Sequence, residues 1–376
     1  MMRYIVMKNF APDLNQLKCI GRYRSLCRPK GIDFSSNDYL CLSTHPALQK
    51  AAIEALQNGI EIGSTGSRLL RGNNHAHEEL EFFAAGYFKC PRTLFFANGF
   101  QANYALITTL IGRHDVAIFD ALCHASMRDG LHAVQCNKVK ISHNNLVAFE
   151  DALKKPVAAG CNKWVLVESI YSVDGDIAPV RALLMLAEKY DAILIVDEAH
   201  STGVSGATGR GETEGLSHDR LITLHTCGKA LGVAGALVCA NEDVIDYLIN
   251  AARPFIYSTA PMPLQAILVK RALELVRDEP ERREQLAVLK AHLARRMPDF
   301  PVKSQIIPII IGEDASAVGL ANNLQAQGFD IRAIRPPSVP EGTARLRLSL
   351  NVGLTLQDIE NFVQALEILL PSGIGL

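Results

Sequence analysis

The sequence predicts an α/β protein: a mostly parallel sheet covered by helices on both faces, followed by a smaller α+β region toward the C-terminus. Three observations predict it. Six short runs, TLFFA (93–97), VAIFD (116–120), KWVLVE (163–168), AILIVD (192–197), LITLH (221–225) and ALVCA (236–240), are almost continuously apolar, as strands buried on both faces must be. Helix-length amphipathic stretches separate several of them. After a long charged helix the pattern changes to a new set of strands and helices, and 376 residues are enough for two or three domains.

Taken in order, residues 1–45 form an N-terminal segment with one helix, and 46–275 form the large domain. There the turn Asn98-Gly99-Phe100 leaves the first apolar run and opens a helix over 99–112, and VRALLMLAEKY (180–190) is a second amphipathic helix. The charged helix spans Asp278 to Arg296 and marks the boundary of a C-terminal α+β domain, 276–376. That domain holds SQIIPIIIG (304–312), a helix near 315–327, the strand-like FDIRAIRPP and ARLRLSL, and a last helix over 356–370.

Composition narrows the function. Lys and Arg total 38 against 39 Asp and Glu, a net charge of −1, which excludes a generally basic nucleic-acid footprint. Apolar residues make up 48%, which excludes disorder. Cysteines stand at 19, 27, 41, 90, 123, 136, 161, 227 and 239, with no CxxC pair, and read as reduced thiols. The N-terminal stretch MMRYIVMKNFAPDLNQ lacks the apolar core of a signal peptide, and no run is long enough for a membrane span. The expectation is a soluble, cytoplasmic protein.

Two segments carry chemistry. AILIVDEAHSTG (192–203) puts Asp197 at the end of a buried strand and His200 three residues on. Ligands of open α/β sheets bind outside the carboxyl ends of the strands, and an acid there is desolvated unless a cation or strong donor meets it. The plain alternative is a structural strand-end cap. A helicase DEAH box would need an upstream GxxxxGK[ST] loop, and the chain has none. LITLHTCGKALGVAGALV (221–238) sets Lys229 just after another strand, among Cys227, Gly228, Ala230, Leu231 and Gly232. Burial lowers the pKa of such a lysine and suits it to bond a carbonyl carbon; the alternative is a surface lysine in a flexible turn.

An acid and a lysine at two strand ends together match the needs of pyridoxal phosphate. The lysine holds the aldehyde carbon, and the acid keeps the ring nitrogen protonated so that the ring can accept electrons. A phosphate needs backbone N–H groups at a helix start, which Asn98-Gly99-Phe100 provides. Thr226, Ser258 and Thr259 offer hydroxyls. His124, after VAIFD, either stacks on a flat ring or is an ordinary hydrogen-bonded histidine. His75 and His77 have no further Cys or His nearby, so no metal site is expected. GATGRG (206–211) is not GxGxxG, and no GxSxG elbow is present.

In this order, FSSNDYL (34–40), GSTGSRLLRGN (63–73), NGFQAN, HASMRDG, ESIYSVDGD, DEAHSTG, TCGKALG and FIYSTAP (255–261) resemble the α-oxoamine synthases. The resemblance runs from about residue 20 to about 365. It implies the aspartate-aminotransferase-like fold (pyridoxal-phosphate fold type I), with a mostly parallel seven-stranded sheet, and a pyridoxal 5′-phosphate-dependent acyltransferase that condenses an amino acid with an acyl thioester and releases CO2. AIRPPSVPEGTARLRLSL (333–350) is most similar to the branch serving biotin biosynthesis, which joins L-alanine to a pimeloyl thioester carried on CoA or acyl carrier protein.

Carried over by motif, the resemblance makes Lys229 the cofactor lysine and general base. Asp197 is the partner of the pyridine nitrogen, His200 of the ring hydroxyl, and His124 stacks over the ring. Gly99, Phe100, Ser172 and Thr226 complete the cofactor shell, with Ser258 and Thr259 reaching in from the second subunit of a homodimer whose active sites lie at the interface. Asn37 and Arg347, or alternatively Arg345, bind the amino-acid carboxylate. Ser338 and one of Arg24 and Arg22 meet the substrate. Cys227, Cys41 and Asn98 depart from the residues usual at their positions without removing a catalytic group. Relatives that use glycine share every cofactor motif, so the amino acid stays open between alanine and glycine. A non-catalytic scaffold of the same fold would lack Lys229.

Overall fold

The computed structural model describes residues 9–370. The first eight residues of the stretch searched for a signal peptide and the last six of the C-terminal region lie outside the described residues. The strands are, in chain order, β1 (Ile32–Asp33), β2 (Arg92–Phe96), β3 (Val116–Asp120), β4 (Asn137–Ile141), β5 (Lys163–Glu168), β6 (Ala192–Asp197), β7 (Leu221–Thr226), β8 (Ala236–Ala240), β9 (Ile306–Gly312), β10 (Phe329–Asp330), β11 (Arg332–Ile334) and β12 (Ala344–Ser349).

β2 to β8 make one seven-stranded sheet in the order β2-β8-β7-β6-β5-β3-β4. All its pairings are parallel except those of β8, which runs antiparallel to both β7 and β2. β5 to β8 are buried almost end to end, which is why they read as unbroken apolar runs. β4, the seventh strand, escapes that criterion: NKVKI is an edge strand, largely exposed and lysine-bearing, as edges that resist further pairing are. The charged helix anticipated over Asp278 to Arg296 is a single helix that starts three residues later, Glu281–Arg296; Asp278 ends a separate preceding helix, Pro263–Asp278, and Pro280, with no N–H to continue it, lies between the two.

Parallel neighbours end on the same edge. Asp120, Glu168, Asp197 and Thr226 are the last residues of β3, β5, β6 and β7. Two antiparallel steps bring β2 back into the same sense, so Asn98 and Gly99 leave the sheet on that edge as well.

The second sheet, β11-β12-β9, is antiparallel with β12 in the middle. The N-terminal segment is stitched to this region: β1 pairs in parallel with β10, and Phe34 stacks on Phe362 of the last helix with ring centroids 4.5 Å apart. Both rings are fully buried, each contributing roughly 1.5–3 kcal/mol by leaving water. Asn37 and Tyr39, a few residues past β1, are thereby carried across to β12 and to the open edge of the large sheet. Among the described residues no helix is long and apolar enough to cross a membrane.

Candidate active site

Asp197 and Glu168 stand side by side in register at the ends of β6 and β5. Asp197 accepts from Asn103 Nδ2 at 2.7 Å and from the Ala199 N–H at 2.9 Å. Glu168 accepts from the Ser172 N–H at 3.1 Å. Burial, and then the neighbouring Asp197 charge, push the Glu168 carboxyl up to about 8. At neutral pH Glu168 therefore holds its proton.

Lys229 projects from the turn after β7, half-buried at the floor of the cleft. The Gly232 N–H closes this turn on Lys229 O at 2.8 Å. Gly232 has φ +64°, and a Cβ there would strike the backbone of Leu42 and Ser43, so the turn needs glycine. Burial lowers the Lys229 amine to about 8 against the opposing pull of Asp197 and Glu168.

His200 links Lys229 to the N-terminal segment. Its Nε2 lies 2.8 Å from Lys229 Nζ and its Nδ1 lies 2.7 Å from Tyr39 Oη. Burial, with the Lys229 charge next, holds the imidazole well below its ordinary pKa, so it is neutral. The directions of the bonds then follow. Asn37 Oδ1 can only accept, and it lies 3.0 Å from Tyr39 Oη. Tyr39 spends its one proton there, so it accepts from His200 Nδ1–H, and His200 Nε2 accepts from Lys229. Arg347, on β12, donates to the same Asn37 Oδ1 at 3.0 Å and to Ser172 O at 2.6 Å. Donation thus runs from the lysine through His200 and Tyr39 to Asn37 Oδ1, where the bond from Arg347 meets it from the other side.

His124 caps the helix Ala125–Ala133, and its Nδ1 accepts from the Ser126 N–H at 3.2 Å. The proton of the neutral ring is therefore on Nε2. Although the ring faces the cleft, the surrounding walls remove enough water to lower its pKa, even against the pull of Asp197.

The cleft fits pyridoxal phosphate on its own donors. The helix Gly99–Leu110 begins at the sheet edge, capped by Asn98 on the Gln101 N–H at 2.8 Å. The N–H groups of Gly99 and Phe100 have no acceptor among the described residues, as an anion site at a helix start requires. A Cβ on Gly99 would collide with Thr226 Cγ2, so the backbone passes close to the strand end only as glycine. Asn103 Oδ1 and Glu168 Oε1 are buried with no hydrogen-bond partner among the described residues, and both residues line this cleft beside Lys229 and Asp197.

Gly99, Phe100, His124, Ser172, Asp197, His200, Thr226, Lys229, Asn37, Ser338 and Arg347 all line the two joined parts of the cleft. Arg345 lies on the same face of β12, but its guanidinium is closed onto Asp174. Arg22 is held by Asp314 at 3.0 Å and Glu341 at 3.3 Å in a separate groove, and Arg24 is exposed outside the cleft. Ser258 and Thr259 do not line the cleft of their own chain. Sequence reasoning passed over Tyr39, Asn103, Ser126 and Glu168. Glu168 carried the same signal as Asp197, an acid closing an apolar run, whereas Tyr39 had none.

The family model "Aminotransferase class I and II" matches residues 29–366. The 8-amino-7-oxononanoate synthase of Chromobacterium violaceum is 42% identical over 338 residues, covering 88% of this chain and 86% of its own. Among solved structures, a serine palmitoyltransferase from S. paucimobilis with bound PLP–myriocin overlays with a TM-score of 0.87 at 26% identity, over 96% of this chain and 98% of its own. The 8-amino-7-oxononanoate synthase from Francisella tularensis gives 0.76 at 30% identity, over 90% and 96%. Fold and cleft define a pyridoxal-phosphate enzyme of fold type I. The chain belongs to the aminotransferase class I and II family and, within that superfamily, to the α-oxoamine synthases, which condense an amino acid with an acyl thioester.

Proposed function

We propose that this enzyme condenses L-alanine with a pimeloyl thioester, on CoA or acyl carrier protein, to give 8-amino-7-oxononanoate for biotin biosynthesis. One proton is taken up, and CO2 and the free thiol leave. The observation that carries the choice of substrates is the 42% identity to the C. violaceum 8-amino-7-oxononanoate synthase, against 26% to the S. paucimobilis serine palmitoyltransferase. The higher TM-score of the latter structure favours, as a second reading, a different amino acid or acyl group in the same cleft.

Bound pyridoxal phosphate supplies an electron sink for the amino acid's α-carbon. Lys229 would hold its aldehyde carbon, Asp197 its ring nitrogen, His200 its ring hydroxyl, and the N–H groups of Gly99 and Phe100 its phosphate. Ser172 and Thr226 would complete that shell. Ser258 and Thr259 would act in the cleft of a second copy, making the enzyme a homodimer. Arg347 and Asn37 would bind the substrate carboxylate, with Ser338 on the acyl side. Once displaced by substrate, the Lys229 amine, with its pKa near 8, takes the α-proton at Nζ and later returns one to the same carbon. The neutral His200, accepting at Nε2, orients that amine. His124, with its proton on Nε2, would stack on the cofactor ring.

Thiol release by the cofactor-loaded protein tests this, crossing L-alanine, glycine and L-serine with pimeloyl-CoA, acetyl-CoA, succinyl-CoA and palmitoyl-CoA. Release confined to alanine with pimeloyl-CoA is expected. Preference for serine with palmitoyl-CoA, or glycine with a short acyl group, would replace the substrates. Lys229→Ala should abolish turnover, and its normal turnover would remove Lys229 from the chemistry.

A further inference from the structure

The part of the cleft that holds Lys229 is also lined by three apolar residues that the cofactor shell does not use, Leu122, Val173 and Ile334. Three arginines line the same cleft: Arg347, Arg332 and Arg128. Arg347 is engaged with Ser172, Ser349 and Asn37. Arg332 is paired with Asp330 at 2.8 Å. The guanidinium of Arg128 has neither a hydrogen-bond nor an ion-pair partner among the described residues, and it is exposed to the cleft. Its backbone N–H donates to His124 O at 3.2 Å, so the side chain leaves the helix one turn, about 5.4 Å of rise, beyond the imidazole.

A cleft that combines apolar lining with an unpaired guanidinium is complementary to a methylene chain with an anion at its far end. A plain fatty acyl chain would offer that cation only a methyl group, gaining nothing from it. We propose that Arg128 is a specificity-determining residue that receives the distal carboxylate of the acyl donor and so selects ω-carboxyacyl thioesters over plain fatty acyl thioesters. The inference rests on the reading of the donor as a pimeloyl thioester. The planar fork of arginine grips a carboxylate through two parallel N–H groups, where lysine would offer only a point charge.

The test uses the cofactor-loaded wild type, Arg128→Leu and Arg128→Lys at saturating L-alanine, with three donors. Pimeloyl-CoA carries the distal carboxylate, heptanoyl-CoA ends in a methyl group, and pimeloyl-pantetheine lacks the nucleotide phosphates. Arg128→Leu should lower kcat/KM for both pimeloyl donors at least tenfold, mainly through KM, and leave heptanoyl-CoA unchanged or improved. Arg128→Lys should recover part of the loss, and L-alanine affinity, read from the cofactor's absorbance, should not move. Equal loss on both CoA donors with none on pimeloyl-pantetheine would assign Arg128 to the CoA phosphates and overturn the proposal. No change, or a loss that appears instead in Arg332→Leu, would overturn it too. A wild type that ignores pimeloyl-CoA but accepts fatty acyl donors would overturn the proposed function first, before any variant is compared.

Discussion

Raising the pH should strip a defined increment of stability from this fold, and the increment resides at His143. This residue follows β4 and donates from both ring nitrogens, to Asp120 Oδ1 at 2.8 Å and to Asp176 Oδ2 at 2.6 Å. Two carboxylate acceptors make it an imidazolium, packed edge-on against Tyr171. Burial opposes that charge, but the bonds and charges of Asp120 and Asp176 outweigh it and raise the pKa from 6.5 to about 9. A group raised on folding contributes stability that is fully present below its unfolded value of 6.5 and is lost as the pH climbs through about 9. At about 1.36 kcal/mol for each tenfold, the rise sets a ceiling of roughly 3 kcal/mol, and partial solvent exposure of the ring reduces this to roughly 2. Urea unfolding of wild type and His143→Gln at about pH 6 and about pH 10 measures it, because titrations away from the His143, Asp120 and Asp176 cluster are common to both proteins and cancel in the difference. The gap should be about 2 kcal/mol at the lower pH and shrink toward a few tenths at the higher. A gap that stayed constant, or widened, would refute the charged staple. Asp120 closes β3 four residues before His124, so the same loosening should reach the active site as an alkaline fall in activity steeper than that of the variant.

Other perturbations have equally definite outcomes. Tyr39→Phe strands the buried His200 Nδ1–H and removes a donor from Asn37; unfolding should become easier by about 1–3 kcal/mol, and KM for the amino acid should rise, whereas unchanged values for both would break the chain from Lys229 to Arg347. Gly99→Ala should weaken cofactor retention at least tenfold, read by absorbance after dialysis with the circular dichroism unaltered. Full retention would remove Gly99 from the phosphate site. Phe362→Ala, under the fully buried Phe34 ring, should cost about 3–5 kcal/mol and raise KM for the amino acid as Asn37 and Tyr39 lose their anchor; a loss of stability with KM unaltered would uncouple the N-terminal segment from the cleft.

What was legible and what was not divides along the distance over which the physics acts. A strand buried on both faces must be apolar along its whole length, so AILIVD and LITLHT announce both themselves and the residues that end them. Asp197, Thr226, Lys229 and Gly99 were visible for that reason, each lying at or just beyond such a run. β4 was not, since an edge strand keeps polar residues on its open side. The pairing of Tyr39 with His200 spans 161 residues and leaves no local periodicity. Arg345 and Arg347 share a face of β12 and are equivalent to any pattern of alternation; only the partners brought by other segments, Asp174 to one and Asn37 to the other, separate them. The same division runs through the function. The reactive set sits on one sheet edge and is written into strand ends, where a substitution disturbs its own strand. The groups proposed to face the substrate come from the N-terminal segment, from β11 and β12, and from the helix after His124, segments that meet at the cleft only in the folded chain. Relatives can therefore share the chemistry of the edge and differ in what they condense, which is why the proposed determinant of the acyl group, Arg128, is sought among the cleft residues that lie off the strand ends.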